Sequence, residues 1–385
     1  MSRPLRVAVV HYWLVGMRGG ERVLERVLNL FPEADLFTHA YNPAAMSETI
    51  RERGATTTFI GKLPASRRLY KHYLPLMPRA LEELDLHDYD LVLSFEAGPA
   101  KGVIAAPGAI HVCYCHSPMR YLWDAYAEYR RSAGFFEKMS MSLFFPSLRV
   151  WDTASAARVD GFIANSTFIR DRILRAYRRD AVVVAPSAPV EEFSPSTEVG
   201  DAYLWVGELT PYKRGDIAVE AFNQMGLPLR MIGKGPLSRR VRAGAEPNIT
   251  FQDKLSFADL KRAYATCKAL VFTAEEDFGI IPVEAMASGR PVIAFGKGGV
   301  RDTVQPNVTG IFYEEQTVAS LIEGVRQFEV WQHSFSPECA VAQARNFSGT
   351  AFDRKYISAV RGFAAKAPQV RDRLDEILGR MTGCA

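Results

Sequence analysis

The feature that most constrains this chain is an alternation, run through twice, of short apolar segments with helical stretches. The first series holds Val7-Ala8-Val9-Val10, Leu91-Val92-Leu93-Ser94, Ile110–Tyr114, Gly161-Phe162-Ile163-Ala164 and Val182-Val183-Val184. Runs apolar at nearly every position read as strands covered on both faces, the mark of a parallel sheet with helical crossovers. The first is followed by Gly16-Met17-Arg18-Gly19-Gly20 and then Glu21–Phe31, where Val23, Leu24, Val27, Leu28 and Phe31 recur at helical spacing. Pro186–Pro195 reads as a rigid hinge. Beyond it, strands are expected at Tyr203–Val206, Leu229–Ile232, Ile249–Phe251, Ala269–Phe272 and Pro291–Phe295. Helices fit Asp216–Gln224, Phe257–Thr266 and Ile281–Ser288. Ser256 to Asp259 reads as a capping box for the second of these, and Pro282 suits the first turn of the third. From about Thr317 the pattern is wholly helical.

The expectation is an α/β chain of two Rossmann-like, doubly wound domains facing across a cleft, with ligand at the strand C-termini. The boundaries read are 1–190, 191–345, and C-terminal helices over 346–385 that pack back toward the first domain. With 48% hydrophobic and 23% charged residues, a disordered or fibrous chain is excluded. A net charge of +4 gives no reason to expect nucleic acid. The first apolar run is too short for a signal-peptide core, and no run reaches the ~18 apolar residues of a membrane span, so a cytoplasmic protein is expected. The odd, scattered cysteines (Cys113, Cys115, Cys267, Cys339 and Cys384) suit a reducing compartment. Cys113 and Cys115 lack the spacing and the second pair of a zinc site, and alternation along a strand accounts for both.

The strongest chemical signal runs from Glu275-Glu276-Asp277-Phe278-Gly279-Ile280-Ile281-Pro282-Val283-Glu284 to Ile293: strand, short loop, helix. A helix N-terminus offers free N–H groups and positive potential suited to a diphosphate. Glu276 before the helix and Glu284 one turn inside it could accept bonds from hydroxyls, although acids at a helix start are also commonplace surface charges. The Glu276-x7-Glu284 spacing, with Phe278-Gly279 and Glu284-Ala285-Met286-Ala287, resembles the signature of the retaining family-four glycosyltransferases of GT-B fold. Within that family the chain looks similar to bacterial mannosyltransferases of O-antigen and other surface polysaccharides. His11-Tyr12-Trp13-Leu14, Gly19-Gly20-Glu21-Arg22-Val23, Cys115-His116-Ser117-Pro118-Met119-Arg120-Tyr121 and Pro211-Tyr212-Lys213-Arg214 carry that closer likeness.

The resemblance implies an acceptor-side first domain and a nucleotide-sugar-binding second one. It assigns donor-sugar hydroxyls to Glu276, the ribose to Glu284, and the diphosphate to the amides near Gly279, Ile280 and Ile281. Lys213 and Arg214 at a strand end put positive charge where a departing diphosphate gains charge. The family usually has an arginine after the preceding glycine; here that position is Glu208, which leaves Lys213 as the main phosphate contact. Gly19 and Gly20 would border diphosphate and acceptor, and His116 the transferring sugar. Gly296-Lys297-Gly298-Gly299 with Asp302, and Gly233-Lys234-Gly235-Pro236, match further family loops. No cofactor and no essential metal are implied; Asp88-Tyr89-Asp90, the metal motif of another glycosyltransferase fold, is set aside because it opens a strand.

Lys62–Ala80 is basic and aromatic without an acid. It reads either as a helix with a solvated basic face or as a surface for anionic headgroups at the inner membrane face. Phe135–Pro146 adds apolar residues without an assigned place. The resulting expectation is hexose transfer, mannose from GDP-mannose first, to a lipid-linked saccharide acceptor. A UDP-hexose donor, a non-catalytic nucleotide-sugar binder and a dinucleotide oxidoreductase stand as rivals, the last disfavoured by the missing G-x-G-x-x-G.

Overall fold

In this computed structural model, which describes residues 5–382, the apolar runs become parallel strands in two separate sheets. Ser2–Pro4 and Cys384 lie outside the described residues. One unit takes Met1–Ala185 together with Phe352–Ala385, the other Pro186–Ala351.

The first unit holds β1 (Val7–His11), β2 (Asp35–Thr38), β3 (Thr56–Thr57), β4 (Leu91–Glu96), β5 (Ile110–Cys115), β6 (Gly161–Ala164) and β7 (Ala181–Val183). Their order is β3-β2-β1-β4-β5-β6-β7, with Ala8 beside Asp35 on one side and Val7 beside Leu91 on the other. The order reverses between β1 and β4, where a doubly wound sheet opens its ligand crevice. Helix α1 (Gly19–Leu30) lays Val23, Leu24, Val27 and Leu28 on this sheet. Residues 135–146, left without a destination by the sequence, lie in a 22-residue helix, α2 (Phe135–Ala156), whose Met141, Phe145 and Leu148 are buried. Helix α3 (Thr167–Tyr177) follows, its N-cap Ser166 accepting the Ile169 N–H at 3.1 Å.

The second unit repeats the scheme with β8 (Tyr203–Val206), β9 (Leu229–Ile232), β10 (Ile249–Gln252), β11 (Leu270–Phe272), β12 (Val292–Phe295) and β13 (Gly310–Tyr313), in the order β10-β9-β8-β11-β12-β13. Its reversal lies between β8 and β11. Helices α4 (Gly215–Met225), α5 (Phe257–Thr266), α6 (Ile280–Ala287) and α7 (Val318–Trp331) cover the sheet. Ser256 caps α5 by accepting the Asp259 N–H, but its hydroxyl also donates to Asp259 Oδ2 at 2.6 Å, a side-chain pair in place of a return bond to the Ser256 amide. After α8 (Pro337–Arg345), α9 (Gly349–Phe363) and α10 (Pro368–Thr382) complete the chain. Phe352, Tyr356, Ile357, Val360, Val370 and Leu374 join the same core as α1 and the first sheet. Burying each such side chain stabilises that unit by about 1.5–3 kcal/mol.

Candidate active site

At the switch point of the second sheet, β8 runs out through Gly207 into the turn Pro211–Lys213, and β11 into the loop before α6. The two loops are tied together: Thr273 donates to the Lys213 carbonyl at 2.6 Å and receives the Trp205 indole N–H at 3.0 Å. This directs Lys213 Nζ onto Glu276 Oε1 at 2.8 Å, both side chains being mostly buried. Burial opposes the Lys213 charge, but Glu276 outweighs it and the ammonium pKa ends above its ordinary value. Next to this pair α6 begins at Ile280, its N-cap Gly279 at φ 87°, a left-handed conformation natural to glycine. A glycine cap brings no side-chain acceptor, so the amides of Ile280 and Ile281 keep the donor capacity of any first turn. One turn on, Glu284 accepts the Tyr264 hydroxyl proton at 2.8 Å.

The glycine loops are packed into this frame. A Cβ on Gly233 would stand 1.8 Å from the Gly207 carbonyl oxygen, and one on Gly299 2.4 Å from Phe278 Cα. Gly299 N–H also donates to Glu276 O at 2.8 Å. Both loops buttress the backbone that carries Lys213 and Glu276. Lys297 itself is exposed, over the Phe295 ring. Arg214 does not join the pair: its guanidinium bonds Asp216 at 3.1 Å from a residue at φ 50°. Glu208 is exposed.

At the switch point of the first sheet the character changes. His116 follows β5, its N–H donating to Glu96 O at 2.7 Å, and its buried Nε2 has no hydrogen-bond partner. Burial lowers its pKa to about 4, so the imidazole is neutral at pH 7. Gly20, in the first turn of α1, makes room for it: a Cβ there would stand 3.0 Å from the Tyr12 hydroxyl and 3.3 Å from His116 Nε2. Gly19 opens the same helix. His11, buried at the end of β1, stacks on Tyr12 with centroids 4.2 Å apart and also leaves its Nε2 unpartnered.

Sequence reasoning missed Thr273 and Tyr264, whose partners lie 60 and 20 residues away. It also missed a fully buried cluster behind β4: Lys101 Nζ bonds Glu96 at 2.9 Å and Asp152, with the Tyr177 hydroxyl 3.1 Å from an oxygen of each carboxylate. Burial pushes the Glu96 carboxyl pKa up. Cys113 and Cys115 lie nearby in an apolar cluster with Phe162, and burial raises both thiols. Asp88 pairs with Arg6 at 2.9 Å, and Asp90 accepts the Arg6 N–H.

Two parallel doubly wound units, each with polar groups at its switch point, are the GT-B glycosyltransferase architecture, and solved structures of that class share it. The chain superposes on the lipopolysaccharide outer core galactosyltransferase WaaB with a TM-score of 0.68 at 16% identity, covering 93% of this chain and 99% of that one. On Anabaena HepE, solved in complex with UDP, the TM-score is 0.67 at 17% identity, covering 93% and 100%. Residues 17–188 match the family model described as Glycosyltransferase Family 4, and 200–328 the one described as Glycosyl transferases group 1. The fold is thus that of the GT-B class, and each unit carries a stretch similar to a glycosyltransferase family model. Curated relatives include a GDP-mannose-dependent alpha-mannosyltransferase of Mycolicibacterium smegmatis, 32% identical over 47% of this chain and 52% of the relative. An uncharacterized glycosyltransferase of Methanocaldococcus jannaschii is 26% identical over 43% and 48%. The chain spans about half the length of the curated relatives it matches.

Proposed function

We propose that this chain is a retaining, metal-independent hexosyltransferase that moves mannose from GDP-mannose to a lipid-linked saccharide acceptor in surface polysaccharide synthesis. The observation carrying the reading is the Lys213–Glu276 pair, 2.8 Å apart beside the first turn of α6. A diphosphate sugar offers each member a partner. Its phosphates suit the ammonium and the Ile280 and Ile281 amides, and its sugar hydroxyls suit the Glu276 carboxylate. Positive charge fixed beside a departing diphosphate stabilises the charge that develops as the glycosidic bond breaks. Glu284, held by Tyr264, is the ribose acceptor in this reading, and the neutral His116 a contact of the transferring hexose. No enzymic nucleophile is assigned; the departing diphosphate takes the acceptor proton.

Support for mannose comes from the Mycolicibacterium relative and from an Escherichia coli O-antigen chain mannosyltransferase, 30% identical over 35% of this chain and 38% of that relative. A UDP-hexose donor is the second reading, favoured by the fold shared with HepE, which binds UDP-glucose in its own structure. The basic surface of Lys62–Ala80 suits peripheral attachment where a lipid-linked acceptor resides; none of the described helices is long and apolar enough to cross a membrane. Calorimetric titration with GDP-mannose, GDP, UDP and UDP-glucose, followed by donor hydrolysis without added metal, tests the proposal. Selective GDP binding with slow mannose release is expected. Preference for UDP selects the second reading, and no binding by any of the four removes both.

A further inference from the structure

Gly20 holds open a small notch at the first switch point. The nearest neighbours of a Cβ built on it are the Tyr12 hydroxyl at 3.0 Å, His116 Nε2 at 3.3 Å and His116 Cδ2 at 3.6 Å. The place a methyl group would take is therefore faced by two polar atoms, one from the loop after β1 and one from the loop after β5. Backbone conformation does not call for glycine here. Gly20 lies inside α1 without a positive φ, where alanine would serve the helix better.

Both polar atoms are without partners. His116 Nε2 is buried with no hydrogen bond, and the Tyr12 hydroxyl makes none among the described residues. A buried polar atom left unbonded is costly, so this pair calls for a ligand group between them. The Tyr12 ring is clamped, His11 stacking on it at 4.2 Å and Trp13 meeting it edge-on at 4.7 Å. Burial, and after it the nearby Glu21 carboxylate, raises the phenol pKa, so Tyr12 keeps its proton. With His116 neutral as well, the notch carries no charge of its own and suits a hydroxyl better than a phosphate oxygen. A hydroxyl both donates and accepts, and so satisfies the two atoms whichever imidazole nitrogen holds the proton; a deoxy carbon satisfies neither.

We propose that Tyr12 is a specificity-determining residue, gripping with His116 one hydroxyl of the transferring hexose in the notch that Gly20 leaves. The inference rests on the transferase reading above and deepens it, adding to His116 a second side chain that selects the sugar. Gly20 then serves by what it lacks, since any side chain there would stand in the hydroxyl's place.

The test is donor hydrolysis by wild type, Tyr12→Phe and Gly20→Ala, with GDP-mannose and with the analogues that each lack one hydroxyl of the sugar. The UDP-glucose series takes their place if calorimetry selects UDP. Tyr12→Phe removes one oxygen from a clamped ring and Gly20→Ala adds a helix-favouring methyl, so thermal melts close to wild type are expected. In wild type one analogue should lose kcat/KM by about 100-fold. In Tyr12→Phe the disadvantage of that same analogue should shrink by about tenfold while the others keep theirs. Gly20→Ala should turn over the parent donor little better than wild type turns over that analogue. Uniform slowing of every donor by Tyr12→Phe overturns the proposal, as does a wild-type rate in Gly20→Ala. Hydrolysis with discrimination unchanged in Tyr12→Phe removes the notch alone, whereas binding of neither donor series removes the transferase reading and the notch with it.

Discussion

The two switch points are built from the same sheet topology but from opposite electrostatics. In the second unit the polar groups are ionic and mutually satisfied, Lys213 with Glu276 and Tyr264 with Glu284. In the first the imidazoles are neutral, buried and incomplete, with the Glu96–Lys101–Asp152 ions sealed behind them: His11 and His116 each leave an imidazole nitrogen without a partner. An ion pair beside a helix N-terminus is suited to trade partners with a charged diphosphate. An uncharged, unsatisfied nitrogen is suited to a sugar hydroxyl, since leaving it unpaired in a dry site costs about 1–3 kcal/mol. Under the function proposed above, the contrast confines diphosphate recognition to the second unit and leaves the first a neutral contact for the hexose.

The strongest way to break that division is Glu276→Ala. Its expected outcome is loss of transfer by about 100-fold or more in a protein that still folds. Wild-type rates would remove the second switch point from the chemistry. Comparing Lys213→Ala with His116→Ala sharpens it. In calorimetry with the nucleoside diphosphate alone, the lysine variant should bind about tenfold more weakly and the histidine variant within about twofold of wild type, both being slowed in transfer. Equal losses of nucleotide affinity would refute the division.

Acid provides a third probe. Burial lowers His11, His39 and His111 to about 3 and His116 to about 4, and all four lie in the first unit. Below their unfolded value near 6.5 the unfolded chain binds more protons than the folded one. The stability these groups allow is therefore full above pH 6.5 and lost as pH falls toward 4. The first unit should melt progressively earlier across that window while the second holds, which calorimetric scans at stepped pH would read as a splitting transition. A single transition moving as one would show that the units do not titrate separately. The smallest effect expected is for Tyr264→Phe, a rise of about three- to tenfold in donor KM with kcat nearly unchanged. An unaltered KM would separate Glu284 from donor binding.

Much of this contrast was legible in the sequence, though unevenly. The block from Glu276 to Glu284 could be read because strand end, loop and helix start are adjacent in the chain and each leaves a local mark. The short β2 and β3 were not legible: Asp35–Thr38 opens on an exposed acid and Thr56–Thr57 is only two residues long. Helix α2 escaped because residues apolar on two faces erase the 3.6-residue period on which helix reading depends. The Glu96–Lys101–Asp152–Tyr177 cluster is assembled from β4 and the turn after it, α2 and α3, and single acids and bases along a chain carry no sign of being buried together. Arg214 read as a second, lesser cation beside Lys213; the backbone turn at φ 50° sends its side chain to Asp216 while Lys213 reaches Glu276.

The return of α9 and α10 to the first sheet has a consequence in time. During synthesis the strands from Val7 to Val183 emerge before Phe352, Tyr356 and Val370, which complete their core. The intervening unit is continuous in sequence and can close as soon as it has left the ribosome. At about 5–20 residues per second, the first unit waits on the order of ten to thirty seconds with one apolar face open. The part of the chain made first is thus the part finished last, and a slow step late in translation would prolong its exposure to misassociation.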